Sequence, residues 1–132
     1  MGIVISNFMK NLKETANHLE NINNVIDIGC GEGFVINCLN YPKITGVDIS
    51  RNALRIAKEK NPECDFCSGS ICEISFKENS FDLVIATEVL EHLEKPDLAL
   101  QEIRRITKNY CIISVPNEPY FRTMNFFSGV KI

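Results

Sequence analysis

Two aspartates and three alternating glycines are the residues of this chain whose types and spacing bear most directly on chemistry. Asp27 stands near the end of the apolar run Val25–Ile28 and is followed by Gly29, Gly31 and Gly33; Asp48 closes a second apolar run 21 residues later. Glycines in this pattern let backbone approach a ligand without interference from a Cβ. A carboxylate at the mouth of such a loop repels a pyrophosphate and favours a ligand carrying positive charge at that spot. In nucleoside-binding α/β folds an acidic residue placed like Asp48 accepts both ribose hydroxyls, because its strand end faces the same crevice as the glycine loop. Ile49 follows where an apolar side chain can pack on a purine face. S-adenosylmethionine, an adenosine bearing an ammonium and a sulfonium, combines these properties.

The elements that must hold these residues can be read from periodicity. Apolar runs bounded by turn residues alternate with helical patterns, the signal of βαβ units and a parallel sheet. Strands are expected at 24–29, 43–48, 64–68, 81–87 and 110–115. Phe8, Leu12, Ala16 and Leu19 place an amphipathic helix over 6–20. A helix is expected after Gly33, carrying Phe34, Val35, Ile36 and Leu39. A further helix starts behind Ser50 as N-cap and stops at Asn61-Pro62. Residues 70–79 read as a loop with a short helical turn. Pro96 suits the first turn of a helix whose Leu98, Ala99, Ile103 and Ile106 face inward, with Asp97, Arg105 and Lys108 complementing its dipole.

At 132 residues the chain reads as one domain, 1–132. A net charge of −3 and a pI near 5.4 give no electrostatic footprint for nucleic acid. Arg104-Arg105, the only adjacent arginines, read as a solvated helix face. No apolar run is long enough to span a bilayer and no secretory pattern opens the chain, so a cytoplasmic protein is expected. Met1–Ser6 matches the loose myristoylation pattern, which is short enough to arise by chance. Six cysteines could suggest a metal or a disulfide framework. Cys64 and Cys67 form a CxxC, but in a strand residues three apart point to opposite faces, and there is no second pair. Reduced core cysteines and no metal are expected.

The segments VIDIGCGEGF at 25–34, TGVDIS at 45–50 and FDLVIATEVLEHL at 81–93 resemble those of class I S-adenosylmethionine-dependent methyltransferases. The similarity is to the small-molecule group that includes the ubiquinone and menaquinone biosynthesis enzymes, and it spans residues 25 to about 115. The resemblance implies an α/β, three-layer, Rossmann-like doubly wound sheet, mostly or wholly parallel, of about five strands in order 3-2-1-4-5. It implies S-adenosylmethionine as cofactor and a small-molecule methyl acceptor. Asp27, Gly29, Cys30, Gly31 and Gly33 would surround the methionine moiety, Asp48 and Ile49 the ribose and base, and Thr87 and Glu88 would border the sulfonium. Ser70 stands where the family usually has an aspartate for the adenine amino group, a charge-assisted bond exchanged for a neutral one that weakens it by roughly 1 kcal/mol. Ile71 would pack near the base. His92 is the candidate base if the acceptor must shed a proton; the bland alternative is a locally hydrogen-bonded histidine. His18 reads as a surface residue. Asn117-Glu118-Pro119-Tyr120 is similar to the NPPY-type motif of amino-group methyltransferases but follows strand five rather than strand four, so it is assigned to the acceptor pocket.

The family sheet usually ends in an antiparallel hairpin of strands six and seven. Only 17 residues follow Val115, so the chain is expected to lack that hairpin and to be cut short after strand five. Strand five would then be an open edge, covered by a helix formed from 119–130 or by a second copy in a homodimer. Two other readings stay beside the methyltransferase: a non-catalytic S-adenosylmethionine-binding remnant or fragment of a larger enzyme, and an NAD-type oxidoreductase. Asp27, and Phe34 where that fingerprint wants a small residue, disfavour the oxidoreductase.

Overall fold

The five apolar runs become β1 (Asn24–Ile28), β2 (Lys43–Asp48), β3 (Asp65–Ser68), β4 (Phe81–Thr87) and β5 (Thr107–Ser114). The computed structural model describes residues 11–16 and 18–114, and the backbone of 122–127 and 130–131. The five strands are parallel, in the expected order β3-β2-β1-β4-β5. Side chains alternate across them as a sheet covered on both faces requires. Val25, Leu83, Ile85 and Ile112 pack on one face with Leu12 and Leu54. Ile26, Ile28, Val84 and Ala86 pack on the other with Ala99, Ile103 and Ile106.

The helices supply the outer layers. Residues 11–16 are helical (α1) and bury Leu12 and Ala16. Helix α2 (Arg51–Lys60) buries Leu54 and Ala57, and Ser50 caps it by accepting from Ala53 N at 3.2 Å. Helix α3 (Pro96–Ile106) has Pro96 in its first turn and Arg104 and Arg105 in its last. Truncating one fully buried residue of this layer, such as Ile103, to alanine would cost about 2–5 kcal/mol. No helix among the described residues is long and apolar enough to cross a membrane.

Three expectations need correction. The chain after Gly33 is not an α-helix but a set of turns ending in one 3₁₀ turn, Ile36–Cys38. Only nine residues separate Gly33 from β2, and Leu39 is already extended (φ −95°, ψ 150°) ahead of Pro42. Strand β5 begins at Thr107, directly at the end of α3, instead of at 110. Most consequentially, the sheet does not stop at β5. β6 (Arg122–Phe127) runs antiparallel along it, Tyr110 opposite Asn125 and Ile113 opposite Arg122, and β7 (Val130–Lys131) pairs antiparallel with Phe126–Phe127.

Counting residues against a full-length hairpin misled the expectation. A strand rises about 3.4 Å per residue, so six residues already cover most of β5, and an unpaired edge is a ready template for them. Thus 122–127 is strand rather than part of a covering helix, and the β5 edge assigned to a second copy is taken by β6. Residues 1–10, with Met1–Ser6 and Phe8, and residues 115–121, with Asn117–Tyr120, lie outside the described residues.

Candidate functional site

A cavity of about 350 Å³ opens at the carboxyl ends of the parallel strands, within the range of about 300–1,000 Å³ usual for small-molecule sites. Four segments build it: Ile28 and Gly29 at the end of β1, Val47, Asp48 and Ile49 at the end of β2, Gly69, Ser70 and Ile71 after β3, and Glu88, Val89, His92 and Leu93 after β4. The core places α2 and α3 on opposite faces of the sheet, so the chain reverses its winding beside β1. Open α/β sheets bind ligands at that switch point.

The loop leaving β1 is held by the end of β2. Gly29 N and Cys30 N both donate to Val47 O, at 2.7 and 3.0 Å. Gly29, Gly31 and Gly33 all have positive φ (72°, 53° and 82°), but their surroundings differ. A Cβ on Gly29 would lie 2.5 Å from Val89 Cγ2, and one on Gly33 2.8 Å from Asn61 Nδ2 at the end of α2. A Cβ on Gly31 would meet nothing within 4 Å. Gly29 and Gly33 therefore serve close packing, and Gly31 leaves space open above the loop.

Asp48 ties this loop to the start of α2: one carboxylate oxygen accepts from Gly31 N at 2.9 Å, the other from Ser50 N at 2.8 Å. An ionised carboxylate has about four acceptor positions, so two remain for ligand hydroxyls. Asp27 is 1 % exposed, and neither of its oxygens has a hydrogen-bond partner among the described residues. Burial, and then the charge of Asp48, push its carboxyl up to about 8. A carboxyl raised in this way holds its proton more tightly than an exposed one, and a cation brought beside it would favour its ionisation.

The structure brings Gly29, Asp48, Ile49, Ser70, Ile71, Glu88 and His92 together around the cavity. It leaves Asp27, Cys30, Gly31, Gly33 and Thr87 outside the lining. Cys30 Sγ turns into the core toward Gly46 and Phe66, and burial, followed by the charges of Asp27 and Asp48, holds it as a thiol. Ile49 is 78 % exposed beside the opening, an apolar surface offered to a flat ligand. Ser70 Oγ accepts from Cys72 N at 3.1 Å and keeps acceptor capacity to spare. Glu88 is a non-glycine residue at φ 54°, with its amide on Ser114 O and Oγ at 3.3 and 3.2 Å; such conformations persist where the surroundings enforce them and gather at functional sites. His92 lies at the mouth, its side chain 78 % exposed and Nε2 3.7 Å from Glu91 Oε1. Cys64 is buried and Cys67 exposed, and no group of three or more potential metal ligands occurs among the described residues.

The sequence reading missed Val89, which roofs Gly29, and misjudged Arg105. Arg104 is exposed, as expected, but Arg105 is only partly exposed: with Glu102 it grips the 74–76 backbone. Their three-residue spacing on α3 was visible, but their loop partners, about 30 positions away, were not.

Comparison with known proteins agrees with this fold. The family model for a methyltransferase domain matches residues 26–114. An uncharacterized methyltransferase of Schizosaccharomyces pombe is 34 % identical over 108 residues, covering 69 % of this chain and 38 % of that protein. A demethylmenaquinone methyltransferase of Staphylococcus aureus is 30 % identical over 112 residues, covering 75 % of this chain and 46 % of that one. The chain thus spans less than half the length of these relatives. Among solved structures, the S-adenosylmethionine-bound amino pentose methyltransferase CalS10 of Micromonospora echinaspora superposes with a TM-score of 0.73 at 14 % identity, covering 81 % of this chain and 50 % of that one.

Proposed function

Since the chain belongs to the methyltransferase-domain family, we propose that 1–132 is a single methyltransferase domain that binds S-adenosylmethionine in the cavity beside β1 and transfers its methyl group to a small molecule. Charge carries this reading. Asp48 and Glu88 line the cavity, and no lysine or arginine does so among the described residues. The orphaned carboxyl of Asp27 lies buried behind the loop. An anionic dinucleotide finds no counter-charge there, whereas a cationic adenosine finds the carboxyl groups of Asp48 and Glu88 in the lining. The chain's acidic balance fits a cytoplasmic enzyme of metabolites better than one acting on nucleic acid.

The residues present suit the cofactor. Asp48 would hold the ribose with its two spare acceptor positions, Ile49 and Ile71 would flank the base, and Ser70 would accept from its amino group. Gly29 and Gly31, with Asp27 behind them, would receive the methionine end. When bound, the cofactor supplies an electrophilic methyl group for in-line displacement by the acceptor. The chain's own task is alignment, which can account for much of such a rate. Glu88 is fixed by its two bonds to Ser114, and His92 sits at the opening where a departing proton can be taken up at an imidazole nitrogen.

A second reading has a specific observation in its favour: the chain spans less than half of its relatives. On this view it is a non-catalytic cofactor-binding remnant or a fragment of a larger methyltransferase, which binds the cofactor without transferring its methyl group. Calorimetric titration with S-adenosylhomocysteine tests what the two share, and no heat at millimolar ligand defeats both. Labelled cofactor with a panel of metabolites, quinone precursors included, separates them. Transfer to any compound removes the second reading, and binding without transfer across the panel removes the first.

A further inference from the structure

Helix α3 grips the loop that forms one wall of the cavity. Arg105 Nη1 donates to Phe76 O at 2.6 Å and Nη2 to Ile74 O at 2.7 Å, while Glu102 Oε2 accepts from Ile74 N at 3.0 Å. The two side chains also hold each other, Arg105 Nε on Glu102 Oε1 at 3.0 Å and Nη2 on Oε2 at 2.7 Å. Asn79 N closes the far end on the carbonyl of Arg105 at 2.9 Å. Both backbone groups of Ile74 are therefore committed to α3. A pair formed only to stabilise the helix would leave the outer guanidinium nitrogens in solvent.

A short, stiff path leads from Ile74 to the cavity. Ser70 O accepts from Glu73 N at 3.2 Å and Ser70 Oγ from Cys72 N at 3.1 Å, closing a tight turn over 70–73. Ile71 and Ile74 are both buried in the α3-side core. Placing Ile74 thereby places Ser70 and Ile71, which line the cavity. Water could satisfy the loop's polar groups in many positions; the clamp selects one.

We infer that Arg105 and Glu102 are positioning residues that set the base-facing wall of the cofactor cavity, Ser70 and Ile71, from outside it. The inference rests on the cofactor site proposed above. A planar guanidinium serves two carbonyls and a carboxylate at once, which a lysine ammonium on a flexible stem does not reproduce.

The test measures the affinity of the 132-residue chain for S-adenosylhomocysteine and for S-inosylhomocysteine, which carries an oxygen in place of the base amino group. The parent prefers the adenine ligand. Arg105→Lys and Arg105→Ala each lose about tenfold in affinity for S-adenosylhomocysteine, a change of about 1.4 kcal/mol, and lose most of the base preference. Glu102→Gln is intermediate, because its amide oxygen can still accept from Ile74 N. Exchange of the Ile74 amide with solvent accelerates in all three. Parent-like affinity and preference in the variants overturns the inference. So does an equal loss for both ligands with the preference kept, the signature of a merely structural role, or a parent without base preference. Should Arg105→Ala not fold, Arg105→Lys and Glu102→Gln carry the same comparison. A parent that binds neither ligand removes the cofactor reading and this one with it, which distinguishes that failure from a failure of the clamp.

Discussion

Replacing Asp27 by asparagine should change how stability depends on pH. The Asp27 carboxyl is fully buried without a partner among the described residues and rises from an ordinary 3.8 to about 8. Between about pH 4 and pH 8 the folded protein therefore keeps a proton that the unfolded chain has released. Bound protons favour the fold, so the stability that the neutral carboxyl permits is present below pH 4 and is lost progressively as pH rises to 8. Each pH unit inside that window costs up to about 1.4 kcal/mol, hence about 3 kcal/mol between pH 5 and pH 7. Asparagine fills nearly the same volume and does not titrate. Urea unfolding of parent and Asp27→Asn at pH 5, 6, 7 and 8 reads the difference directly. The stability of Asp27→Asn relative to the parent should grow by about 3 kcal/mol from pH 5 to pH 7, with unchanged m-values. Parallel profiles within about 0.5 kcal/mol would refute the protonated, unpaired carboxyl.

Asp48→Ala removes the acceptor of both Gly31 N and Ser50 N together with the proposed ribose contact, so S-adenosylhomocysteine should bind about 5- to 150-fold more weakly by calorimetry, the equivalent of about 1–3 kcal/mol. Two glycine replacements should separate by mechanism. Gly33→Ala sets a methyl against Asn61 and Ala57 and should lower the melting temperature, whereas Gly31→Ala meets no protein atom, carries only the strain of its positive φ, about 1 kcal/mol, and should weaken ligand binding most. His92→Asn should lower the methyl-transfer rate about 10²- to 10⁴-fold with cofactor affinity unchanged; an unaltered rate would assign His92 to local hydrogen bonding.

The parallel core was legible because its signals are local. Runs such as Phe81–Thr87 announce a strand buried on both faces, Ser50 announces a cap, and Pro96 announces a helix start; each lies where the sequence put it. The chain after Gly33 was misjudged because apolar spacing alone does not show that nine residues leave no room for a helix before β2. The β6–β7 pairing was missed for a different reason. A strand at 122–127 is decided by the open edge of β5 beside it, and Phe126 and Phe127 do not disclose that partner.

For the site, the alternating glycines and the two aspartates 21 residues apart were enough to point to a cavity beside the first strand, with Gly29 and Asp48 in its lining. Residue type and backbone permissiveness settle that much before any folding. Only the packed chain decided where each residue sits there: that Gly33 fits against α2, that Cys30 faces the core, and that Asp27 loses water on all sides, which raises its hold on a proton. Only the packed chain, too, set Arg105 on the carbonyls of Ile74 and Phe76. Solvation and long-range hydrogen bonds depend on neighbours distant in sequence, so a local pattern holds no record of them.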